Sequence, residues 1–303
     1  MSNNSIFSLS EYIGIIERLQ KQYKPGILGN PTLKTFLYRG ICNDRYEKKL
    51  LPSIFRKHKH LDHNGDDEIS IENYIYQAWA NEINVLKAFI LESIAYIDIP
   101  PSDLVRWAEY AQHFGVPTRL LDWTTSPLSA LYFSCRNDST NNGEVWLLHS
   151  ANYERFFASM FSDSVKKEYL TRQDSVARLL IGKSDIEFPI IYTPYYVDSR
   201  MSAQGSVFMA WGTREEPLEM MLNDARHYMK APDVDRNEWT YELQHSEALL
   251  FRFHIFADRK QPLLRELDAM GINEKTLFPG LDGVGRYIER KFRFDYNETA
   301  GIV

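Results

Sequence analysis

The chain has 303 residues, a formal net charge of −6, an apolar content of 44% and a charged content of 25%. This composition is that of a globular protein with a sizeable core, in one large domain or two modest ones, and excludes disordered and fibrous chains. The acidic balance argues against a protein that coats nucleic acid non-specifically, because such binding needs a basic face.

The cysteines and the N-terminal residues indicate a cytoplasmic protein. Cys42 and Cys135 provide no disulfide framework, and neither falls in a metal-ligand spacing. The first residues lack the basic and apolar regions of a signal peptide. No apolar stretch approaches the ~18 residues of a membrane-spanning helix. We therefore expect a cytoplasmic location and no membrane partner.

The first predicted elements are a helix near residues 10–22 and a strand at residues 34–41. An exposed loop is predicted at residues 56–67, with a small cluster of residues that could ligate a metal. The cluster consists of His58, His60, Asp62 and His63. Because zinc sites need a rigid second shell, which a polar loop does not supply, we predict no metal site.

A long helix is predicted next, because its apolar residues recur at alternating three- and four-residue steps. The stripe consists of Trp79, Ile83, Leu86, Ile90, Ile94 and Ile97. Ile99-Pro100-Pro101 is predicted to end the helix. Together with the helix that follows, it forms a predicted helical insertion at about residues 68–111 in one domain that covers residues 1–303.

Residues 112–134 are the most informative stretch of the chain. The helix before them carries an apolar stripe at i, i+3, i+4 and i+7, formed by Leu104, Trp107, Ala108 and Ala111. Gly115 suits the left-handed residue after a helix end, and Pro117 prevents the helix from resuming. Ser126 followed by Pro127 predicts the N-cap and first residue of a new, largely buried helix. The residues between the two helices are predicted to form a short polar loop.

Polar side chains are concentrated in this predicted loop. They are His113, Thr118, Arg119, Asp122, Thr124, Thr125 and Ser126. Loop residues at such junctions can point at a ligand while the flanking helices hold them in place. The N-terminus of the second helix also presents unpaired N–H groups, which suit an anion such as phosphate. A polar helix cap without a ligand is the alternative interpretation.

The rest of the chain mixes strands and helices. Strands are predicted at residues 143–149 and 249–255, and residues 151–182 are predicted to be mostly helical. Residues 188–212 combine strand patterns with a short polar segment, and two C-terminal helices flank residues 277–283. This mixture predicts an α+β fold.

Two further segments carry candidate ligand-binding residues. Arg39, preceded by Tyr38 and followed by Gly40, ends a predicted strand, where its guanidinium could bind phosphate and the tyrosine could stack on a ring. A structural salt bridge is the alternative. Arg200 and Gln204 share one face if their segment is helical, and an ordinary turn is the alternative there. No nucleophile elbow, phosphate loop, dinucleotide fingerprint or zinc pattern is present, which disfavours common hydrolases, kinases and Rossmann dehydrogenases.

Four motifs together resemble the FRG domain, a family named for its aromatic-Arg-Gly motif. They lie at residues 38–40 with 51–56, at 112–124, at 200–208 and at 276–283. The resemblance spans roughly residues 34–290, and it implies that the chain is a single FRG domain.

A more distant resemblance links the chain to ADP-ribosyltransferases of the arginine-serine-glutamate type. Tyr38 and Arg39 resemble the strand that contacts the nicotinamide dinucleotide in those enzymes. Residues 124–126 and the helix after them resemble the Ser-Thr-Ser strand and its helix. The catalytic glutamate would fall at Gln204, which is an amide. The resemblance implies a split mixed or antiparallel sheet with helical insertions, and NAD as a substrate.

The resemblance and the polar loop together imply a set of site residues. The predicted cofactor-binding residues are Tyr38, Arg39, Gly40, Thr118, Arg119, Thr124, Thr125, Ser126 and Arg200. Gln204 can orient a ribose but stabilises positive charge poorly, so a carboxylate from Asp122, Glu242 or Glu247 is expected to take that role. Asp122 is preferred because it lies in the polar loop, and His113 is assigned a supporting or acid–base role. A structural bond between Asp122 and Arg119 or helix N–H groups is the alternative.

Three functions follow as expectations. The first is an NAD-dependent ADP-ribosyltransferase or NAD glycohydrolase, which by analogy would suit anti-phage defence or a toxin and would modify a protein or nucleic-acid acceptor. The second is an inactive module that binds a nucleotide or nucleic acid, which the missing glutamate favours. The third is a nuclease or other hydrolase that uses Asp122 and His113. The sequence does not indicate the oligomeric state.

Overall fold

The computed structural model describes residues 5–22, 36–45, 50–56, 71–137, 140–159, 172–196, 198–222 and 249–299. Three expectations concern residues outside these ranges. They are the predicted loop at residues 56–67 after its first residue and the alternative carboxylates Glu242 and Glu247.

A seven-stranded mixed sheet forms the centre of the fold. Its strands are β1 Ser5–Ile6, β2 Phe36–Ile41, β3 Leu120–Thr124, β4 Gly143–His149, β5 Ile190–Tyr192, β6 Ser206–Ala210 and β7 Leu250–Ile255. They lie in the order β1-β7-β4-β2-β3-β6-β5. β1 runs parallel to β7, and the other neighbouring strands are antiparallel. This sheet with its surrounding helices confirms the α+β prediction.

The helices flank the sheet. They are α1 Leu9–Gln22, α2 Ile71–Ser93, α3 Leu104–His113, α4 Pro127–Cys135, α5 Ser150–Ser159, α6 Arg172–Leu180, α7 Ser199–Gln204, α8 Ala257–Ala269, α9 Glu274–Leu277 and α10 Leu281–Thr299. A short 3₁₀ turn covers Ser53–Phe55. Among the described residues, no helix is long and apolar enough to cross a membrane.

One face of the sheet, which we call the front face, is covered by two separate groups of helices. Because side chains alternate along a strand, Tyr38, Asp122 and Phe208 all occupy this face. Helices α1, α4 and α8 bury an apolar cluster around Tyr38. Helices α2, α3 and α6 bury a second cluster around Phe208. Asp122 lies between the two clusters and is exposed.

The other face, which we call the back face, carries a third apolar cluster. Leu121 and Trp123 of β3 pack there with neighbouring residues of β2, β4 and β6. The 3₁₀ turn and α5 add Phe55 and Tyr153 to this cluster, and both side chains are buried. Buried contacts on both faces therefore fix the position of β3.

The predicted helix boundaries around the central motif are confirmed. Gly115 follows α3 with a φ of 81°, the left-handed conformation that glycine adopts most readily. The Ser126 side chain caps α4 by accepting a hydrogen bond from the Ser129 backbone N–H at 3.2 Å. Pro127 occupies the first turn of that helix, where its missing N–H costs no hydrogen bond.

Two sequence predictions were wrong. The predicted polar loop contains strand β3, because Leu121 and Trp123 alternate with Leu120, Asp122 and Thr124 across its two faces. The long predicted helix ends earlier than Ile97, since α2 stops at Ser93 and Ile94 is exposed. The apolar spacing continued past the helix end into the turn that follows.

Candidate functional site

Strands β2 and β3 are neighbours that share a single residue pair, Tyr38 with Thr124. Arg39 reaches across to β3, where its guanidinium donates a hydrogen bond to the backbone oxygen of Asp122. The Nε of Arg39 is buried and has no hydrogen-bond partner among the described residues. Arg39 pairs with Trp146 of β4 and therefore belongs to the back face of the sheet. Asp122 pairs with Phe208 of β6 and belongs to the front face. The two residues therefore approach the space between β2 and β3, which we call the gap, from opposite sides of the sheet.

The electrostatics of the gap are dominated by Arg39. Burial lowers the pKa of Arg39 from 12.5 to about 10, the nearby carboxylate of Asp122 opposes that shift, and the charge of Arg56 adds to it. Arg39 remains a cation at neutral pH. The gap thus holds a partly desolvated positive charge beside an exposed negative one.

Gln112 orients the carboxylate of Asp122. The amide Nε2 of Gln112 donates to Oδ2 of Asp122 at 2.8 Å, while Oε1 of Gln112 accepts from the Thr118 hydroxyl at 2.6 Å. This role of Gln112 was missed from the sequence. Its position in the last turn of α3, directly before His113, was the available indication, because a side chain there can reach across the turn to the next element.

The end of β3 is closed by hydrogen bonds to the segment before β6. The Thr124 hydroxyl donates to the backbone oxygen of Gln204, and the Thr125 backbone N–H donates to that of Gly205 at 2.9 Å. Oγ1 of Thr124 also accepts from the Ser126 N–H at 2.9 Å. Gly205 has a φ of 60°, and a Cβ there would lie 2.7 Å from Oγ1 of Thr125. We call this arrangement the β3 junction.

Arg200 and Gln204 lie on a helix, as predicted, and both contact the C-terminal part of the chain. Nε2 of Gln204 donates to the Leu277 backbone oxygen at 2.9 Å. The Arg200 guanidinium lies 3.3 Å from the carboxylate of Asp282. The Gln204 side chain is therefore engaged in holding α7 against α9.

Arg119 is buried in an ion pair just before β3. Its Nη2 lies 2.6 Å from Oε2 of Glu82, its Nε donates to the same oxygen at 2.8 Å, and its Nη1 donates to the Trp211 backbone oxygen at 3.1 Å. Glu82 was missed from the sequence. Glu82 lies four residues before Leu86, so its carboxylate falls on the apolar face of α2. A carboxylate in that position indicates a buried cationic partner.

Helix α3 contributes two more ionisable groups. His113 lies 3.6 Å from the carboxylate of Asp198, so the structure pairs it with that residue. Glu109 is buried, and burial raises its pKa from 4.5 to about 8, with the Tyr192 hydroxyl opposing the shift. Within the described ranges, no group of three or more His, Cys, Asp or Glu side chains could hold a metal ion.

Two residues of the aromatic-Arg-Gly motif pack into the core. Tyr38 is 2% exposed and lies against Phe36 at a centroid distance of 6.5 Å, and burial raises its pKa to about 12. Gly40 lies under α4, because a Cβ there would stand 2.0 Å from the Ala130 backbone oxygen. The glycine permits close packing of helix on strand.

Comparison with known proteins supports the first part of the family resemblance. Residues 34–143 match the FRG domain. The matched segment includes Arg39, Gln112, Asp122 and the first half of the β3 junction. The motifs at residues 200–208 and 276–283 lie outside the matched residues of the FRG domain. No curated protein and no solved structure matches the chain.

Proposed function

We propose that this chain cleaves the bond between nicotinamide and ribose in NAD and passes the ADP-ribose to water or to an acceptor. The observation that carries the proposal is the adjacency of β2, β3 and β6. These strands bring together Arg39, an exposed and oriented Asp122, and the β3 junction with Gln204. The distant resemblance to ADP-ribosyltransferases requires three such elements next to one another.

Asp122 supplies the carboxylate in this proposal. When the C1′–N bond breaks, its electron pair leaves with nicotinamide, and the ribose becomes an oxocarbenium ion. A fixed carboxylate stabilises that positive charge electrostatically, and the Gln112 amide holds Asp122 in one orientation. Water or an acceptor group then attacks C1′ and releases a proton. Gln204 is assigned no charge-stabilising role, because it is an amide whose Nε2 is bonded to Leu277.

Arg39 attracts the phosphates of the dinucleotide in this proposal. It stays positively charged at neutral pH, and burial strengthens its interaction with an anion. The same activity would serve a bacterial toxin or an anti-phage defence protein, with a protein or nucleic acid as the acceptor.

The test is nicotinamide release from NAD, measured chromatographically with purified protein. Asp122→Asn is expected to lower the rate by about 10²- to 10³-fold, the usual cost of removing one group that stabilises a transition-state charge. Asp258→Asn is the matched control, because Asp258 is exposed on α8 and its substitution removes the same negative charge. Arg39→Lys keeps the positive charge but loses the fork of hydrogen-bond donors, so we expect the rate of nicotinamide release to fall about tenfold. Thermal denaturation verifies that each variant is folded.

A second candidate function is a module that binds the dinucleotide without turnover. The Gln204–Leu277 hydrogen bond favours it, because the position of the transferase glutamate serves the packing of α7. Saturable NAD binding without nicotinamide release would support the module and contradict the enzyme. Cleavage of nucleic acid without added NAD would contradict both and favour a hydrolase.

A further inference from the structure

Two arginines and two phenylalanines form a cluster where α4, α9 and α10 meet. The rings of Phe133 and Phe278 pack edge to face with centroids 6.1 Å apart. Cζ of Arg136 lies 5.0 Å from the centroid of each ring, and Cζ of Arg286 lies 4.7 Å from that of Phe278. We call these four residues the arginine–phenylalanine cluster.

Stacking on the rings fixes both guanidinium groups without using their hydrogen-bond donors. An aromatic face attracts the cation, and neither side chain donates a hydrogen bond to another described residue. Because both Cζ atoms lie close to the Phe278 centroid, they are within about 10 Å of each other, one Debye length at 0.1 M salt. Arg136 is half-buried and Arg286 is exposed, so solvent reaches both.

The cluster also lacks a counter-charge in the part of the chain that the structure describes. The carboxylates around it are paired with other cations, namely Glu274 with Arg290, Asp282 with Arg200, and Glu289 with Arg293. Neither Arg136 nor Arg286 has an ion pair with a described residue. A protein with a net charge of −6 thus keeps, within about 10 Å of each other, two arginines that have no ion pair with a described residue.

We propose that the arginine–phenylalanine cluster binds a phosphate group, carried by a free nucleotide or by a nucleic-acid backbone. Arginine forks bind phosphate oxygens in pairs of parallel hydrogen bonds, and two forks complement the charge of a phosphate dianion. Because the rings hold the forks in place beforehand, less side-chain entropy is lost on binding. The site does not depend on the NAD chemistry proposed above.

The test is calorimetric titration of the full chain with inorganic pyrophosphate at low salt. We expect Arg286→Gln to weaken binding about tenfold and the double variant with Arg136→Gln to abolish it, since each removes a charge-assisted pair of donors. Arg293→Gln is the matched control, because Arg293 lies on the same helix, is exposed and is paired with Glu289. It is expected to leave the affinity unchanged within about twofold.

Two further variants keep the result interpretable. Arg136→Lys retains the charge and is expected to weaken binding by less than Arg136→Gln does. Phe278→Leu keeps both charges but removes the ring, so we expect the affinity for pyrophosphate to fall about threefold.

Absence of pyrophosphate binding, or equal weakening by Arg293→Gln and Arg286→Gln, would overturn the proposal. ADP and a short single-stranded oligonucleotide then distinguish the two sources of phosphate. Tighter binding of ADP assigns the site to free nucleotides, and tighter binding of the oligonucleotide assigns it to a nucleic-acid backbone.

Discussion

The middle of β3 and its two ends differ sharply in how their polar groups are used. Arg119, directly before the strand, is buried against Glu82. Thr124, at the other end, is bonded to the backbone of Gln204. Asp122, between them, has an exposed carboxylate that accepts a hydrogen bond from the Gln112 amide.

The polar groups at the ends of β3 therefore stabilise the fold, whereas the polar group in its middle is open to solvent. Both ends of β3 hold the strand against α2 and α7, so their polar groups are satisfied inside the protein. The carboxylate in the middle is held in one orientation while water still reaches it, which suits a group that must act on a ligand.

The largest expected effect is at the start of β3. Glu82→Ala leaves the buried Arg119 without its carboxylate, so we expect a loss of about 3–5 kcal/mol in the free energy of unfolding, measured with urea. Glu216→Ala is the control, because its partner Arg214 lies near the surface. That change is expected to cost less than about 1 kcal/mol. Equal losses would show that the start of β3 is no more tightly fixed than the surface.

A pH-dependent effect is expected from Glu109, one turn before Gln112 on α3. Burial raises its pKa from 4.5 to about 8, so the folded protein keeps a proton that the unfolded chain releases above pH 4.5. The stability that this proton provides is fully present below pH 4.5 and is lost as the pH rises to about 8. Between these pH values, the free energy of unfolding of the unchanged chain should fall by up to about 1.4 kcal/mol per pH unit relative to that of the Glu109→Gln variant.

The measurement is the difference in unfolding free energy between the two proteins across that pH range. Glu215, whose pKa is also raised by burial, is present in both proteins and cancels in the difference. A pH-independent difference would show that Glu109 is ionised in the folded state.

Much of the fold was predictable from local patterns, and the errors have physical causes. The cap at Ser126, the left-handed Gly115 and the alternation at residues 249–255 depend on neighbouring residues, and the structure confirms them. β3 was missed because Asp122 and Thr124 made its front-face positions look like a loop. Here the carboxylate of Asp122 is exposed on a central strand because the helices on this face form two separate groups, which a local pattern does not show.

The candidate site was predictable as a set of motifs but not as a set of roles. The sequence brought Arg39, Asp122 and Gln204 into one hypothesis. The structure places β2, β3 and β6 side by side, with Gln204 at the end of α7 just before β6. The bonds of Arg119 to Glu82 and of Gln204 to Leu277 join segments far apart in the chain. No local pattern specifies such partners.

A smaller effect is expected at the β3 junction. Gly205→Ala places a Cβ 2.7 Å from Oγ1 of Thr125 at a φ of 60°, so we expect a loss of about 2 kcal/mol, measured by urea unfolding. Gly115→Ala is the matched control, because its φ of 81° is similar and its Cβ would meet nothing within 4 Å. That change should cost about 1 kcal/mol. Equal losses would mean that Thr125 moves freely and that the junction is loose.

The smallest expected effect on stability is at Asp122. The carboxylate is exposed, and the side-chain oxygen of an asparagine can accept the same hydrogen bond from Gln112. Asp122→Asn is therefore expected to change the free energy of unfolding by less than about 0.5 kcal/mol, measured by urea unfolding, while the proposed nicotinamide release is lost. Glu82→Ala measured alongside it gives the scale of a buried ion pair directly before the same strand. A loss above about 2 kcal/mol for Asp122→Asn would place this carboxylate among the structural contacts, and the middle of β3 would no longer differ from its ends.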